Sequence, residues 1–225
     1  MILAGKTAVV TGAAGGIGRA ISCSLARRGC HLVLADVNEA GLAETASLAG
    51  AQGLRITTHR LDVADRQAIA AFPDVVAASH PGVDILVNNA GVAVGGAFDQ
   101  VAEADFDWLI DINFWGVVRM TRAFLPLLKA SQEARLVNIS SLFGLIAPPG
   151  QTAYCASKFA VRGFSESLRN ELAGSRVGVT TVHPGGVATS IAKNARISSV
   201  LSQAEQARSQ ERFKRLLKKI GRAHV

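Results

Sequence analysis

The 225-residue chain is 49% hydrophobic, enough to bury a large core as a single domain, and no stretch approaches the roughly 20 apolar residues of a membrane-spanning helix. Residues 1–192 carry 15 basic and 15 acidic residues, so the formal net charge of +7 lies entirely in residues 193–225, and we expect no nucleic-acid partner for the body. Five scattered histidines and three cysteines without a C-x-x-C pair argue against a metal centre, so we expect no metal. A predicted strand near the start leaves no room for a signal peptide, so we expect a cytoplasmic protein.

The first predicted elements are a short strand, a glycine-rich turn and a helix. Thr7–Val10 are small or β-branched residues typical of a buried strand, and apolar residues from Ile17 onward recur at helical spacing. The turn between them, TGAAGGIG, directs free N–H groups and a helix dipole to one place. A β-carbon would block the approach of a phosphate, or the packing of helix on strand, at Gly12, Gly16 and Gly18. The turn therefore predicts a dinucleotide site, with a plain glycine-rich connection as the alternative.

The second predicted strand, His31–Ala35, is followed by an acidic residue. Asp36 lies where a carboxylate accepts hydrogen bonds from both hydroxyls of an adenosine ribose, although an aspartate there could also cap a turn or a helix. A 2′-phosphate would meet a like charge, and neither the glycine turn nor residues 35–40 contain a Lys or Arg to offset it. The sequence therefore predicts that NAD is preferred to NADP.

Strand-like and helical segments continue to alternate along the body. The further strand candidates are Arg55–Thr58, Ile85–Asn88, Arg135–Ile139 and Val177–His183. Near-continuous apolar strands joined by helices predict an α/β doubly wound (Rossmann) fold, a parallel sheet of about six strands with helices on both faces and the ligand at the carboxyl ends of the strands. We expect one domain over residues 1–192, with the cofactor and catalytic residues, and a basic helical segment over residues 193–225.

Short motifs at these strand ends resemble those of the short-chain dehydrogenase/reductase family. In chain order they are the glycine turn, Asp36, LDV ending at Val63, NNAG ending at Gly91, DIN ending at Asn113, NISS ending at Ser141, YCASK from Tyr154 to Lys158, and HPGGVAT ending at Thr189. Their spacings are similar to those of the family from residue 5 to about residue 190. The resemblance implies an NAD(H)-dependent oxidoreductase that transfers a hydride between nicotinamide and a secondary alcohol or ketone.

The resemblance also implies roles for individual residues. The catalytic set would be Asn113, Ser141, Tyr154 and Lys158, with Asn113 anchoring a water molecule behind the lysine. The cofactor-binding set would be Gly12, Gly16, Ile17 and Gly18 at the turn, Asp36 at the ribose, Asp62 and Val63 at the adenine, Asn88, Ala90 and Gly91 along the cofactor, Tyr154 and Lys158, and Pro184, Gly185, Val187 and Thr189 at the nicotinamide.

Tyrosine, lysine and serine suit hydride transfer at an alcohol carbon. A proton must leave or reach the oxygen, and a phenol with a free pKa near about 10 is a weak base at neutral pH. Tyr154 and Lys158 are four residues apart, one helical turn, so we expect the ammonium to lower the pKa of the phenol. Ser141, at a strand end, would donate a hydrogen bond to the substrate oxygen. Ser140 is the rival serine, but the spacing to Tyr154 favours Ser141.

The segment between Ser141 and Tyr154 indicates the substrate class. Its apolar residues Leu142, Phe143, Leu145 and Ile146 would form a wall beside the reacting carbon, so we expect Ser141, Phe143 and Tyr154 to contact an apolar alcohol or ketone. The alternative is a catalytically idle NAD-binding sensor or scaffold protein, which would need only the glycine turn and Asp36.

The basic segment and the predicted helices suggest how the protein assembles. Phe213, Leu216, Leu217 and Ile220 recur at helical spacing among basic residues, which predicts an amphipathic helix docked on the body and leaves open a weak association with a membrane surface. The resemblance implies a shortened C-terminus, since no β-branched run after Ile220 supplies the family's seventh strand. We therefore expect a homodimer rather than a tetramer, formed by the helices after Ala104 and Ala153, with the basic segment over the exposed sheet edge or the pocket. The proposed dimer face of the second helix is Val161, Phe164, Leu168 and Leu172.

Overall fold

The computed structural model describes residues 1–50, 53–187, 191 and 195–197. Its strands are β1 (Thr7–Thr11), β2 (His31–Asp36), β3 (Ile56–Arg60), β4 (Ile85–Asn88), β5 (Val94–Gly95), β6 (Ala134–Ile139), β7 (Val177–Val182) and β8 (Arg196–Ile197). Six of them form a parallel sheet in the order β3-β2-β1-β4-β6-β7, and β5 pairs with β8 in a separate two-stranded sheet.

Helices connect the strands and cover both faces of the sheet. They are α1 (Gly16–Ala26), α2 (Glu39–Ala49), α3 (Arg66–Ala77), α4 (Glu103–Ile110), α5 (Gly116–Ala130) and α6 (Thr152–Glu171). Side chains set two of the helix starts, because Asn38 accepts a hydrogen bond from the Gly41 amide and Asp65 accepts two at the start of α3. A five-residue π-helix, Asp111–Trp115, joins α4 to α5.

The core has two halves, one on each face of the sheet. Side chains alternate along a strand, so Ala8 and Val10 pack toward α1 and α2, whereas Val9 packs on the opposite side with residues of α3, α5 and α6. All three are fully buried. Burial on both faces explains why these strands are apolar at nearly every position.

The predicted single-domain doubly wound fold is confirmed, and the six predicted strands lie within one or two residues of the observed ones. The pair formed by β5 and β8 was not predicted, since each strand has only two residues. Most of the basic segment, residues 193–225, lies outside the described residues, so its predicted helix stays a prediction. Within the described part of the chain, no helix has the length and apolarity needed to span a bilayer.

The expected dimer face of α6 is wrong. Val161, Leu168 and Leu172 are 0%, 9% and 7% exposed, because they pack against the protein's own core. Phe164 is partly buried against the same core. The apolar spacing along α6 therefore reflects packing within one protomer.

Candidate active site

A cleft of about 420 Å³ lies at the carboxyl ends of the strands. The strand order reverses between β1 and β4, and in open α/β sheets ligands bind at such a switch point. One part of the cleft is lined by the glycine turn and Asp36, and another by Ser141 and Tyr154. Its volume falls within the range of small-molecule sites.

The glycine turn packs closely against the end of β4. A β-carbon on Gly18 would overlap the carbonyl oxygen of Gly12, and one on Gly12 would lie 2.8 Å from the Cα of Ala90. Gly12 also has a φ of 65°, a conformation that favours glycine. Asn89 fixes the contact, since its side-chain amide donates to the carbonyl oxygens of Thr11 and Gly12 at 3.0 and 3.1 Å. Gly18 thus serves the packing of helix on turn and does not line the cleft.

Two side chains outside the motif hold the carbonyl groups of the turn. The Thr45 hydroxyl donates to the Ala13 carbonyl at 2.8 Å, and Arg19 donates to the Ala14 carbonyl at 2.6 Å while pairing with Glu44. Gly15 precedes α1 without a capping side chain, so the first N–H groups of this helix have no side-chain acceptor there. The carbonyls of the turn are thus occupied, and the amides at the start of α1 suit an anion such as a phosphate.

Asp36 lies at the end of β2 with its carboxylate held in place. Its two oxygens accept hydrogen bonds from the amides of Ala14 and Asn38, at 3.1 and 3.0 Å. The sheet register pairs Asp36 with Arg60 on β3, a nearby cation that the sequence analysis missed because it is 24 residues away. Arg60 lies 3.6 Å from Glu39, and both side chains are about two-thirds exposed, at 67% and 71%.

Three of the four predicted catalytic residues lie together in the cleft. Ser141 follows β6, and its oxygen accepts a hydrogen bond from the Phe143 amide at 3.1 Å, which leaves its proton free to donate. Tyr154, near the start of α6, lines the same cleft as Ser141. One turn further along α6, the Lys158 ammonium lies 5.6 Å from the centre of the Tyr154 ring and donates to the Ile139 carbonyl at 3.1 Å.

Burial shifts the pKa values of the tyrosine and the lysine toward their neutral forms. It raises the pKa of Tyr154 to about 12, although the Ser141 hydroxyl acts in the opposite direction. It lowers the pKa of Lys158 to about 8. In the chain without a cofactor, desolvation of the phenol thus outweighs the effect of its neighbours, and the expectation that Lys158 lowers the pKa of Tyr154 stays a prediction.

Asn113 is fully buried in the π-helix behind the cleft. Its side-chain oxygen accepts from the Val92 amide at 2.8 Å, and its nitrogen donates to the Val92 carbonyl and to the Ser157 hydroxyl. A β-carbon on Gly91 would lie 3.2 Å from the Asn113 oxygen and 3.6 Å from the Lys158 nitrogen. Asn113 is thus close to Lys158. Its side-chain hydrogen bonds join the loop that follows β4 to α6.

Most of the predicted cofactor residues line the cleft. They are Gly12, Gly16, Ile17, Asp36, Asp62, Val63, Ala90, Gly91, Tyr154, Lys158, Pro184, Gly185 and Val187. Thr189 lies outside the described residues. The substrate residues Ser141, Phe143 and Tyr154 also line it, and the Phe143 ring packs edge-on against Tyr154 with 6.1 Å between ring centres.

Asn88 is the predicted cofactor residue that points away from the cleft. Its side-chain nitrogen donates to Thr121 and to Asn138 in the core, at 3.1 and 2.9 Å. The neighbouring Asn89 lines the cleft instead. Successive side chains at a strand end face opposite sides, so the two asparagines exchange places relative to the prediction.

The apolar wall differs in part from the sequence prediction. Leu142 and Phe143 line the cleft, whereas Leu145 and Ile146 are 44% and 49% exposed and lie outside it. Residues that the sequence analysis missed complete the lining near Tyr154, namely Val92, Ala93 and Ile191. No local motif marks these three residues.

The chain is similar to known oxidoreductases over most of its length. Residues 6–199 match the family model for short chain dehydrogenases. SadH of Mycobacterium tuberculosis, described as an oxidoreductase, is 51% identical over 196 residues, which cover 86% of this chain and 71% of SadH. A short chain dehydrogenase/reductase from Burkholderia phymatum in complex with NAD has a TM-score of 0.88 at 34% identity, covering 97% of this chain and 81% of that one. A metagenomic short-chain oxidoreductase in complex with NADP has a TM-score of 0.77 at 38% identity, covering 82% and 84%.

Proposed function

The chain belongs to the short-chain dehydrogenase/reductase family of oxidoreductases, and on that premise we propose that it transfers a hydride between NAD(H) and an apolar secondary alcohol or ketone. Tyr154 acts as the general acid and base. One observation carries the proposal: Tyr154, Ser141 and Lys158 lie in the same cleft as the glycine turn and Asp36. Residues 1–192 thus contain both the cofactor and the catalytic positions.

The cleft fits a dinucleotide. The start of α1 offers amides without a side-chain acceptor, beside backbone that a β-carbon would obstruct. The fixed carboxylate of Asp36 is placed to accept from ribose hydroxyls. Asp62 and Val63 would bound the adenine, and the residues from Pro184 to Val187 the nicotinamide. When bound, the nicotinamide ring gives or accepts the hydride.

The chain's own residues supply the proton. In ketone reduction, the phenol of Tyr154 gives its proton to the substrate oxygen as the carbon gains the hydride, and the product is the alcohol. The Ser141 hydroxyl donates a hydrogen bond to the same oxygen, where negative charge develops. Lys158 stabilises the phenolate that remains. Asn113 anchors a water molecule behind the lysine, and by this path solvent returns a proton to the phenolate.

The side chains around Tyr154 favour an apolar substrate. Ala93, Phe143 and Ile191 line this part of the cleft, and none of them carries a polar side chain. A ketone with an apolar group on one side would bury that group here, while its oxygen faces Ser141 and Tyr154.

A turnover assay with a parallel binding assay tests this function. We expect a change in NADH absorbance with secondary alcohols or ketones, and the rate should rise with the apolar size of the substrate. Binding of NADH without turnover across a broad panel would contradict the proposal and favour the alternative, an idle NAD-binding sensor or scaffold protein.

The preference for NAD over NADP is proposed to rest on Asp36. We expect Asp36→Ala to weaken NAD binding by roughly tenfold, because two charge-assisted hydrogen bonds are lost, and to improve NADP binding, because a like charge is removed. Arg60 is the register neighbour of Asp36 and would supply the cation for the 2′-phosphate, so adding Arg60→Gln should abolish the gain in NADP affinity. Isothermal titration of wild type and both variants measures this, and unchanged selectivity would show that Asp36 only orders the turn.

We also propose a homodimer in the cytoplasm, assembled through the π-helix, α5 and α6. Trp115 and Phe159 support this assembly, since they are 46% and 40% exposed on elements that pack side by side. All three cysteines are free thiols, which suits a reducing compartment.

The dimer is tested by a charge on its proposed face. We expect light scattering to give twice the 23.5 kDa chain mass for wild type and a monomer for Phe159→Glu, because a buried unpaired carboxylate is costly. Phe98→Glu is the matched control, since Phe98 is 69% exposed and lies outside the π-helix, α5 and α6, so its change should leave the dimer intact. A monomeric wild type, or a dimer that survives Phe159→Glu, contradicts this face.

A further inference from the structure

A short segment after β7 is attached to the rim of the cleft. In β8, Arg196 and Ile197 pair in parallel with Val94 and Gly95 of β5, and the Arg196 amide donates to the Ala93 carbonyl at 3.0 Å. Ala93 itself lines the cleft beside Tyr154. The backbone of Arg196 is therefore joined directly to the cleft wall.

The side chain of Arg196 makes two further contacts, both with α4. Its guanidinium carbon lies 3.6 Å from the centre of the Trp108 ring, at stacking distance, and one of its nitrogens lies 3.1 Å from a carboxylate oxygen of Asp105. A planar guanidinium can stack on a ring and pair with a carboxylate at once, which a lysine ammonium cannot do equally well. The Asp105 carboxylate is only 18% exposed, so the pair is partly shielded from solvent.

These contacts connect Arg196 to two apolar clusters that both contain Tyr154. Trp108 belongs to an apolar cluster with Val94 and Tyr154. Ile191 and Ala195 pack against Ala93 and Tyr154 in a second cluster. Arg196 thus links the cluster behind the tyrosine to the residues that cover it, and Ile191 is one of the residues that line the cleft.

We propose that Arg196 is a positioning residue for the substrate, because it holds Ile191 and Ala195 as the wall that an apolar group next to Tyr154 contacts. This inference rests on the proposed function. Arg196 does not touch the reacting atoms; it acts through Ile191, whose place sets the space available beside the phenol. Substrates with a larger apolar group depend more on this wall, so Arg196 also affects specificity.

Removal of the side-chain contacts tests the proposal. Arg196→Met keeps an apolar stem but loses both the stacking and the ion pair, so the wall is in place in a smaller fraction of molecules and apparent substrate affinity falls by that fraction. We expect KM for large apolar alcohols to rise roughly tenfold, with kcat and the Kd for NADH changed by less than about twofold. Arg196→Lys, which retains the charge beside Asp105, should restore part of the lost affinity.

The control and a second readout separate this role from a general loss of structure. Arg135→Met removes an arginine of similar exposure that pairs with Glu133 at the opposite end of the sheet, and it should leave KM unchanged. In a Trp115→Phe background, Trp108 is the sole tryptophan, and Arg196→Met should make its fluorescence more accessible to acrylamide.

Distinct outcomes overturn the two proposals. In an active enzyme, an unchanged KM would overturn the positioning role. Changes of similar size in KM, kcat and the Kd for NADH would also overturn it. If wild type turns over no alcohol or ketone, the proposed function fails. Acrylamide quenching still tests the contact between Arg196 and Trp108 in that case. Unchanged quenching of Trp108 in Arg196→Met overturns the proposed role of this contact, and increased quenching supports it.

Discussion

Tyr154→Phe is expected to lower kcat by about 10²–10⁴-fold while the Kd for NADH changes by less than about twofold. The substitution removes the phenol oxygen and leaves the ring that packs against Phe143, so the cleft keeps its shape while the proton donor is lost. Stopped-flow or steady-state turnover with NADH and an apolar ketone measures the first quantity, and fluorescence titration with NADH measures the second. Retention of most activity would exclude Tyr154 as the acid and base.

The pH dependence of wild type should agree with this role. Because burial raises the pKa of Tyr154 to about 12, the phenol carries its proton at neutral pH and is ready for ketone reduction. Alcohol oxidation needs the phenolate, so its rate should rise as pH increases above about 7, whereas reduction should not rise. In Tyr154→Phe, the residual oxidation rate should lose this pH dependence.

Lys158→Met is expected to make the protein more stable and nearly inactive. Burial lowers the pKa of Lys158 from 10.5 to about 8, so the folded state binds its proton more weakly than the unfolded state does. Charging the buried amine therefore costs about 3 kcal/mol at pH values below about 8, and this cost disappears as pH rises toward about 10.5. Part of the gain is offset because the Ile139 carbonyl loses its donor, which leaves a net increase of about 1 kcal/mol, or about 2–4 °C in Tm.

Thermal unfolding of the cofactor-free protein at several pH values checks this result. The Tm of Lys158→Met should exceed that of wild type at about pH 7, and the difference should vanish near about pH 9. By about pH 10 its sign should reverse, because most of the charging cost has then disappeared and the lost hydrogen bond to Ile139 outweighs what remains. Lys129→Met changes an exposed lysine and should shift Tm little at either pH. Turnover of Lys158→Met should fall by about 10²-fold or more, since the phenolate loses its cation. A variant less stable than wild type at neutral pH would contradict the buried charge.

Local spacing explains which parts of the site could be predicted from the sequence. Tyr154 and Lys158 share one helical turn, and the glycine turn is contiguous, so their geometry depends little on the rest of the fold. Asn88 and Asn89 are different, because a one-residue shift in where β4 ends decides which side chain faces the cleft.

Other features depend on contacts between distant parts of the chain. Arg60 lies beside Asp36 only because β2 and β3 are paired, and the pKa of Tyr154 depends on how deeply the folded chain buries it. Phe164 illustrates a further ambiguity, since an apolar helix face looks the same in sequence whether it packs on its own sheet or on a second subunit.

The contact between the glycine turn and the end of β4 also has a consequence for folding. Thr11 and Asn89 are separated by 78 residues, and the Thr11 hydroxyl also accepts hydrogen bonds from the Asn89 and Ala90 amides. The turn has its binding shape only after β1 and β4 have paired across this long separation in the sequence. Such long-range pairing is a late and slow step for a folding chain. A folding intermediate with intact helices but without this pairing would be unable to hold a dinucleotide, so a cofactor in the cell would stabilise the completed sheet and none of its precursors.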